Sequence, residues 1–512
     1  MSAAGKNQQL LIAFWIGISL LLLANLGELR QAEEGTAVGA LMIGAACMFP
    51  MYLWCAGKVK GMPVFPFFAL TYLWTFSLPL LSENPNVLMY SSAAHFYAAF
   101  CTVIFLGSGT LVWWQLVRTP CPISTPYHAL QTSKAENFFF GVLVAGVLLN
   151  MYILGGWFSL SGGMLALIRG IIFGLSLLGI FVLCYRCGAG QLTRLKSQLL
   201  LFLVALYILT SAATLILKTA LTVFLLATVA YVVGGRKIPV LPLFLGLLML
   251  LPLHYGKHPM RDKYWNGPGK HYVQPWEYPA WFQEWAGHAA DHFTHTPSRY
   301  DPPEEKRESF VERSSLIHML MMAQTKIPEP YPYMEGATYG IIPQLFMPRF
   351  MNPNKIRSHE GTHMLNIHIK RQTYQDTLRT TIAWGLLPEA YANFGVMGCA
   401  GVGMFLGAFY GLVTRIGFGT PTFSARSLLG VLILSLALAS TEWTAGVYVA
   451  TLFQSSVPLL AMRFIFMKIY RNRKKRKPGI QRYKIVGLSP AHPPEEDTAV
   501  ENCEASHQLK IT

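Results

Sequence analysis

The chain has 512 residues, a formal net charge of +16, and 53% hydrophobic against only 13% charged residues. A soluble globular domain carries about 25% charged residues, so that class is excluded, and so is a solvated disordered chain. Apolar runs near the length of a bilayer-spanning helix recur along the sequence, and lipid-facing backbone must bond within its own segment. The expected fold class is therefore an all-α polytopic membrane protein.

In chain order, twelve spans are expected: 10–27, 37–57, 62–81, 92–114, 137–156, 164–185, 198–217, 219–234, 238–254, 394–414, 427–441 and 446–467. The first run lacks a small-residue cleavage site and reads as a retained anchor. The stretch 198–234 is interrupted only by Lys218 and Thr219, and reading it as one tilted helix would invert everything that follows. Charge favours two spans. With a cytoplasmic N-terminus, the short inside segments hold Lys6, Lys58, Lys60, Arg118, Lys134, Arg186, Arg194, Lys196, Arg236, Lys237, Arg415 and Arg426, whereas the short outside segments hold only Arg30 and Lys218. This is the positive-inside bias. Both termini are then expected in the cytoplasm.

Four parts follow: a nine-helix region (1–253), one large periplasmic loop (254–388), a three-helix region (389–467) and a basic, disordered tail (468–512). The RNRKKRK run at 471–477 reads as an anchor on anionic membrane lipid, with no nucleic acid as partner. Of the eight cysteines, none falls in the loop, which is thus free of disulfides, and the lone CYRC at 184–187 has no redox fold around it.

The loop has a composition of its own, with ten of the fourteen histidines. PWEYPAWFQEWAGHAADHFTH (275–295) reads as an aromatic helix lying at the membrane interface, with a sugar-stacking surface as the alternative. SHEGTH (358–363) contains His359-Glu360-x-x-His363, the spacing of a helical zinc pair with an adjacent general base. Gly361 weakens such a helix by about 1 kcal/mol, and the next carboxylate able to complete the set, Glu389, opens the following span. A histidine-rich loop also makes this spacing easy to meet by chance, leaving polar roles for both rings.

Cations gather on the same side. Arg169 lies inside its span near the outer end, Lys218 caps the 198–234 hairpin, Arg261 follows the ninth span, Arg349, Lys355 and Arg357 cluster in MPRFMNPNKIRS, and Arg371 and Arg379 precede the tenth span. Snorkelling to headgroups accounts for Arg169 and Lys218, and solvation for the loop arginines. Several cations around one loop can alternatively hold a pyrophosphate, which Arg grips by paired hydrogen bonds. In LLPEAYANFGVMG, Pro388 rigidifies the entry, Glu389 opens a short helix, and Asn393, Gly395 and Gly398 permit close packing. Glu389 is either a helix cap or a general base. No D-x-D and no phosphate-binding G-x-x-x-x-G-K-[ST] occurs, which disfavours a metal-dependent nucleotide-sugar transferase and ATP-driven pumping.

The layout of many spans, one large late loop and a few closing spans resembles the Wzy-type oligosaccharide repeat-unit polymerases, membrane glycosyltransferases of the GT-C type. IIPQLFMPRFMNPNK (341–355) is similar to the family's Pro-Arg…Lys-Pro stretch, and LLPEAYANFGVMG (386–398) to its Glu-x-Tyr-x-Asn-Phe-Gly-x-x-Gly stretch. The chain has Lys218 where the family usually has Arg, and no Pro follows Lys355.

The resemblance implies a bacterial inner-membrane enzyme. It would transfer a glycan from polyprenyl pyrophosphate onto a new lipid-linked repeat unit at the periplasmic face, for O-antigen or exopolysaccharide synthesis. No metal or cofactor is implied, and the protein partners would be a chain-length regulator and a flippase. Arg349, Arg379, Arg169, Lys218 and Arg357 are then expected on the pyrophosphate, Glu389 or His363 as base, and Arg261, Tyr391 and His359 on the substrate. The rivals are an O-antigen ligase of the same fold, a zinc metalloprotease using His359, Glu360 and His363, and a flippase that forms no bond.

Overall fold

A computed structural model describes residues 3–82, 84–119, 126–157, 162–235, 239–264, 272–294, 314–347, 352 and 355–470. Its elements, in chain order, begin with the helices α1 (Ala3–Ala24), α2 (Glu34–Cys55), α3 (Val64–Tyr72) and α4 (Ser92–Val117). Strand β1 (Tyr127–Leu130) leads to α5 (Thr132–Gly155), α6 (Gly162–Gly188), α7 (Arg194–Ala213), α8 (Leu217–Gly235), α9 (Val240–Leu250), α10 (Lys257–Tyr264) and α11 (Tyr278–Thr294). Then come α12 (Ile317–Lys326), α13 (Ala337–Gly340), α14 (Ile342–Phe346), α15 (Glu360–His368), α16 (Tyr374–Arg379), α17 (Leu386–Gly417), α18 (Ala425–Ala439), α19 (Ala445–Ile465) and strand β2 (Met467–Tyr470).

The protein is an all-α polytopic membrane protein. Among the described residues nine helices are long and apolar enough to cross a membrane, or ten if Val240–His254 and Lys257–Tyr264, bent by 55°, form one broken span. Gln8–Ala24 and Val64–Leu80 are apolar but shorter. The stretch 198–234 is two helices. α7 ends at Ala213 and α8 begins at Leu217, with Leu215 between them at φ 61°.

The main core lies where α2, α3, α4, α17 and α18 meet, around the fully buried Trp113, Trp384, Phe68 and Tyr410. Small residues allow the helices to approach: a Cβ on Gly407 would lie 2.1 Å from the Gly109 carbonyl oxygen. Tyr410 pairs there with the Tyr448 hydroxyl at 2.9 Å.

A second, smaller core forms at the α7–α8 turn. There α11 turns Trp281 and Trp285 inward, 5% and 0% exposed, against Ala212, Leu215, Ala220 and Met260. The aromatic segment is a helix from Tyr278 to Thr294, and Trp281 and Trp285 pack against protein, so they present no open sugar-stacking face. Trp276, 75% exposed just before it, is the one that remains outside.

The tail differs from expectation at its start. β2 pairs antiparallel with β1, Tyr127 opposite Tyr470 and Leu130 opposite Met467, because Pro126 and the segment after α19 emerge side by side. A further bridge joins Ala129 to Ser424, so three segments distant in sequence are clasped at one end of the bundle. At that end Glu136, 7% exposed, forms ion pairs with Arg186 and, at 2.6 Å, with Lys196. The remainder of the tail, 471–512, lies outside the described residues.

Candidate functional site

The short polar turn between α18 and α19, Ser440 to Thr444, draws together Glu389, Lys218 and, through Thr362, the helix α15 that carries His363. Glu389, on the first turn of α17, is fully buried, and its Oε2 accepts a hydrogen bond from the Ala445 backbone N–H at 2.6 Å. The carboxylate thus caps the N-terminus of a different helix, α19, whose partial positive charge favours it. Its Oε1 has no hydrogen bond of good geometry, the Thr338 hydroxyl being the neighbouring side-chain donor, and the carboxylate has no ion pair among the described residues.

The backbone around Glu389 is fixed from several sides. α17 is broken at Phe394 (φ −142°) and Gly395 (φ 61°), so Leu386 to Asn393 form a separate short helix. Gly395 is required there, since any Cβ would meet the Tyr333 hydroxyl at 2.8 Å in a backbone conformation L-residues avoid. The Asn393 amide donates to the Glu389 carbonyl (2.8 Å) and to the Thr338 hydroxyl (2.9 Å), and its Oδ1 accepts from the Gly336 N–H (3.0 Å). The neighbouring Tyr339 stacks on Phe394, and burial, then Glu389, push its phenol well above its ordinary pKa.

α15 docks on the same turn: the Thr362 and Thr444 hydroxyls share a hydrogen bond of 3.0 Å. Gly361, the helix-weakening residue of HEGTH, is the contact surface, where a Cβ would lie 3.6 Å from the Thr338 side chain. His359 is not within this helix but caps it, since α15 begins at Glu360. The His359 and His363 rings lie nearly parallel with centroids 6.5 Å apart.

His363 is 6% exposed, and its Nε2 has no partner among the described residues. Burial lowers its pKa, Glu360 opposes that, and the exposed Arg357 adds to it, so the ring is neutral near pH 7. Desolvation, then His363, lowers His359 as well. Among the described residues no three His, Cys, Asp or Glu side chains converge as metal ligands, so His359, Glu360 and His363 do not form such a set.

Lys218 reaches this turn from α8, pairing with Glu442 at 3.0 Å and donating to the Ala439 carbonyl at 3.2 Å. Arg261 donates from α10 to the Leu215 carbonyl at 2.7 Å, holding the turn from which Lys218 projects. Lys355 donates to the Leu345 carbonyl at 2.7 Å and so ties down the end of α14. Arg169 is exposed on α6 beside Gly170, which packs against Gln454 more than two turns along α19.

Other candidates stand apart. Tyr391, two residues after Glu389 and hence on the opposite helix face, is buried between Tyr97 and Tyr333 at 6.4 and 6.5 Å. Arg349 lies outside the described residues, and of Arg379 only its place at the end of α16 is described. Arg371, a half-buried cation, points its guanidinium at the sulfurs of Met319 and Met322. Beside it burial and then Arg371 push His318 down to about 4.

Sequence reasoning missed the Ser440–Thr444 turn, which looks like a mere gap between two spans. Its only signal is Glu442, the single acid between Glu389 and the tail. Next to the α7–α8 turn an apolar groove of about 750 Å³ runs between α7, α9 and α11, lined by Leu209, Ala212, Leu248, Leu253, Phe282 and Ala286 among others.

Comparison of the chain with protein-family models, with curated proteins and with solved structures finds no match.

Proposed function

We propose that the protein is a metal-independent glycosyltransferase that polymerises polyprenyl-pyrophosphate-linked oligosaccharide repeat units at the outer face of a bacterial inner membrane. The observation that carries this reading is the carboxylate of Glu389: fully buried, held by the Ala445 N–H on one oxygen, with the other oxygen buried and lacking a hydrogen bond of good geometry, and with no ion pair among the described residues. A rigid carboxylate without a paired cation is equipped to take a proton. Lys218 on the same turn, and Arg357 beside His363, supply positive charge for a leaving pyrophosphate.

In the reaction the acceptor hydroxyl attacks the anomeric carbon of the donor glycan. The new C–O bond forms as the bond to pyrophosphate breaks, and polyprenyl pyrophosphate leaves with the electron pair. Glu389 receives the hydroxyl proton. The apolar groove beside the α7–α8 turn fits the isoprenoid chain, which would bring its pyrophosphate toward Lys218 and Arg261.

The test uses the purified full chain in nanodiscs with a polyprenyl-pyrophosphate-linked oligosaccharide. A ladder of longer glycans is expected, with one polyprenyl pyrophosphate released per bond, and its loss in Glu389→Gln. Movement of labelled lipid across the bilayer with no new glycosidic bond would overturn the reading in favour of a flippase.

A further inference from the structure

At the end of the bundle where α2, α4 and α17 finish, roughly 35 Å along α17 from Glu389, four cations line one cleft. Lys58 and Lys60 come from the α2–α3 connection, Arg118 from the end of α4 and Arg415 from the end of α17, and the cleft measures about 200 Å³. The walls are fixed by backbone contacts. The Thr414 hydroxyl donates to the Met62 carbonyl at 2.9 Å, the Trp54 indole to the Gly61 carbonyl at 3.0 Å, and Arg415 to the Leu116 carbonyl at 3.4 Å. Gly61, at φ +107°, turns the connection so tightly onto α17 that a Cβ would lie 2.9 Å from the Thr414 methyl.

Among the described residues these cations have no carboxylate partner. The sequence withholds one too: from 35 to 135 the only acid is Glu83, and from 390 to 441 there is none. Elsewhere at this end two cations, Arg186 and Lys196, do share a carboxylate, the buried Glu136. Four positive charges gathered from three segments around a concave, acid-free cleft call for an anion. A snorkelling side chain needs no partner cation beside it.

We propose that this cleft binds a phosphate group, carried either by an anionic phospholipid headgroup or by a soluble phosphate. Two guanidinium and two ammonium groups around one cleft match a tetrahedral dianion or a phosphodiester, Lys58 also lying over the Tyr52 ring. The volume is below the roughly 300–1,000 Å³ of ordinary small-molecule pockets and suits a single phosphate group.

The test reads bound lipid by native mass spectrometry on full-length protein released from vesicles of phosphatidylglycerol in phosphatidylcholine. Wild type should retain phosphatidylglycerol. Arg118→Gln/Arg415→Gln should retain at least tenfold less, and Lys58→Gln/Lys60→Gln, in exposed lysines whose loss leaves the fold intact, should also retain less. Arg194→Gln, an exposed cation at the same end, is the control and should retain as much as wild type.

Inorganic phosphate at 10 mM separates the two sources. If it displaces the lipid from wild type, or binds wild type but neither double variant, the site takes soluble phosphate. If it does neither, the site is one for headgroups. Equal retention of lipid and of phosphate in wild type and both double variants would overturn the proposal, as would an equal loss in Arg194→Gln.

Discussion

Two buried carboxylates, Glu136 and Glu389, sit near opposite ends of the bundle and are treated in opposite ways. Glu136 gives both oxygens to cations, one to Arg186 and one to Lys196. Glu389 has a backbone N–H on one oxygen, the neighbouring Thr338 hydroxyl as its other polar contact, and no cation among the described residues. Burying a charge costs several kcal/mol unless it is paired, so the first arrangement is one that holds helices α5, α6 and α7 together. The second leaves the cost partly unmet, which a fold tolerates where the group has work to do. Equal burial thus says little about role; what occupies the second oxygen says more.

The largest expected effect tests that contrast directly. Glu389→Gln keeps an acceptor for the Ala445 N–H but cannot take a proton, so glycan polymerisation in nanodiscs should fall by about 10²–10⁴-fold with little change in thermal stability. A variant that polymerises normally would make Glu389 a helix cap and nothing more. Glu136→Ala should do the reverse. It removes the carboxylate that neutralises Arg186, 10% exposed at its side chain, and should cost roughly 3–5 kcal/mol of stability in chemical unfolding, with activity per folded molecule retained.

A third test concerns His318, whose burial pushes it down to about 4. A histidine depressed in the folded state costs nothing above the unfolded value of 6.5, where both states are neutral. As pH falls below 6.5 the unfolded chain takes up the proton first, and stability drops until about pH 4, by up to about 3 kcal/mol. His318→Gln should flatten that part of the stability–pH curve. The smallest effect is expected at Lys218 and Glu442, each about 40% exposed. Glu442→Gln should change stability by no more than about 1 kcal/mol while freeing Lys218 for an anionic donor, seen as a lower KM.

Much of this architecture is legible in the sequence because membrane physics is one-dimensional. An apolar run of sufficient length is a helix wherever it sits, and each of the twelve expected spans corresponds to an apolar helix, though only nine meet the length and composition of a crossing on their own. Lys218 and Thr219, two polar residues in a long apolar stretch, sit just past the true break at Ala213–Leu217. Tertiary pairing is harder to read. Nothing in the sequence links Glu389 to Ala445, 56 residues on, or assigns Glu136 to Arg186 rather than to its neighbour Lys134. The HEGTH spacing suggests a helix bearing both histidines, yet the helix starts one residue later and its glycine serves as a docking face against Thr338. Periodicity also cannot say which way an aromatic helix turns, and α11 packs Trp281 and Trp285 against protein.

The β1–β2 clasp carries a consequence for biogenesis. Tyr127 must wait for Tyr470, 343 residues downstream, before its hydrogen bonds can form. At about 5–20 residues per second, synthesis leaves the first strand unpartnered for roughly 20–70 s while helix after helix enters the bilayer. Zipping these two short edges is therefore among the final acts of assembly, a latch that registers only when the last span is home.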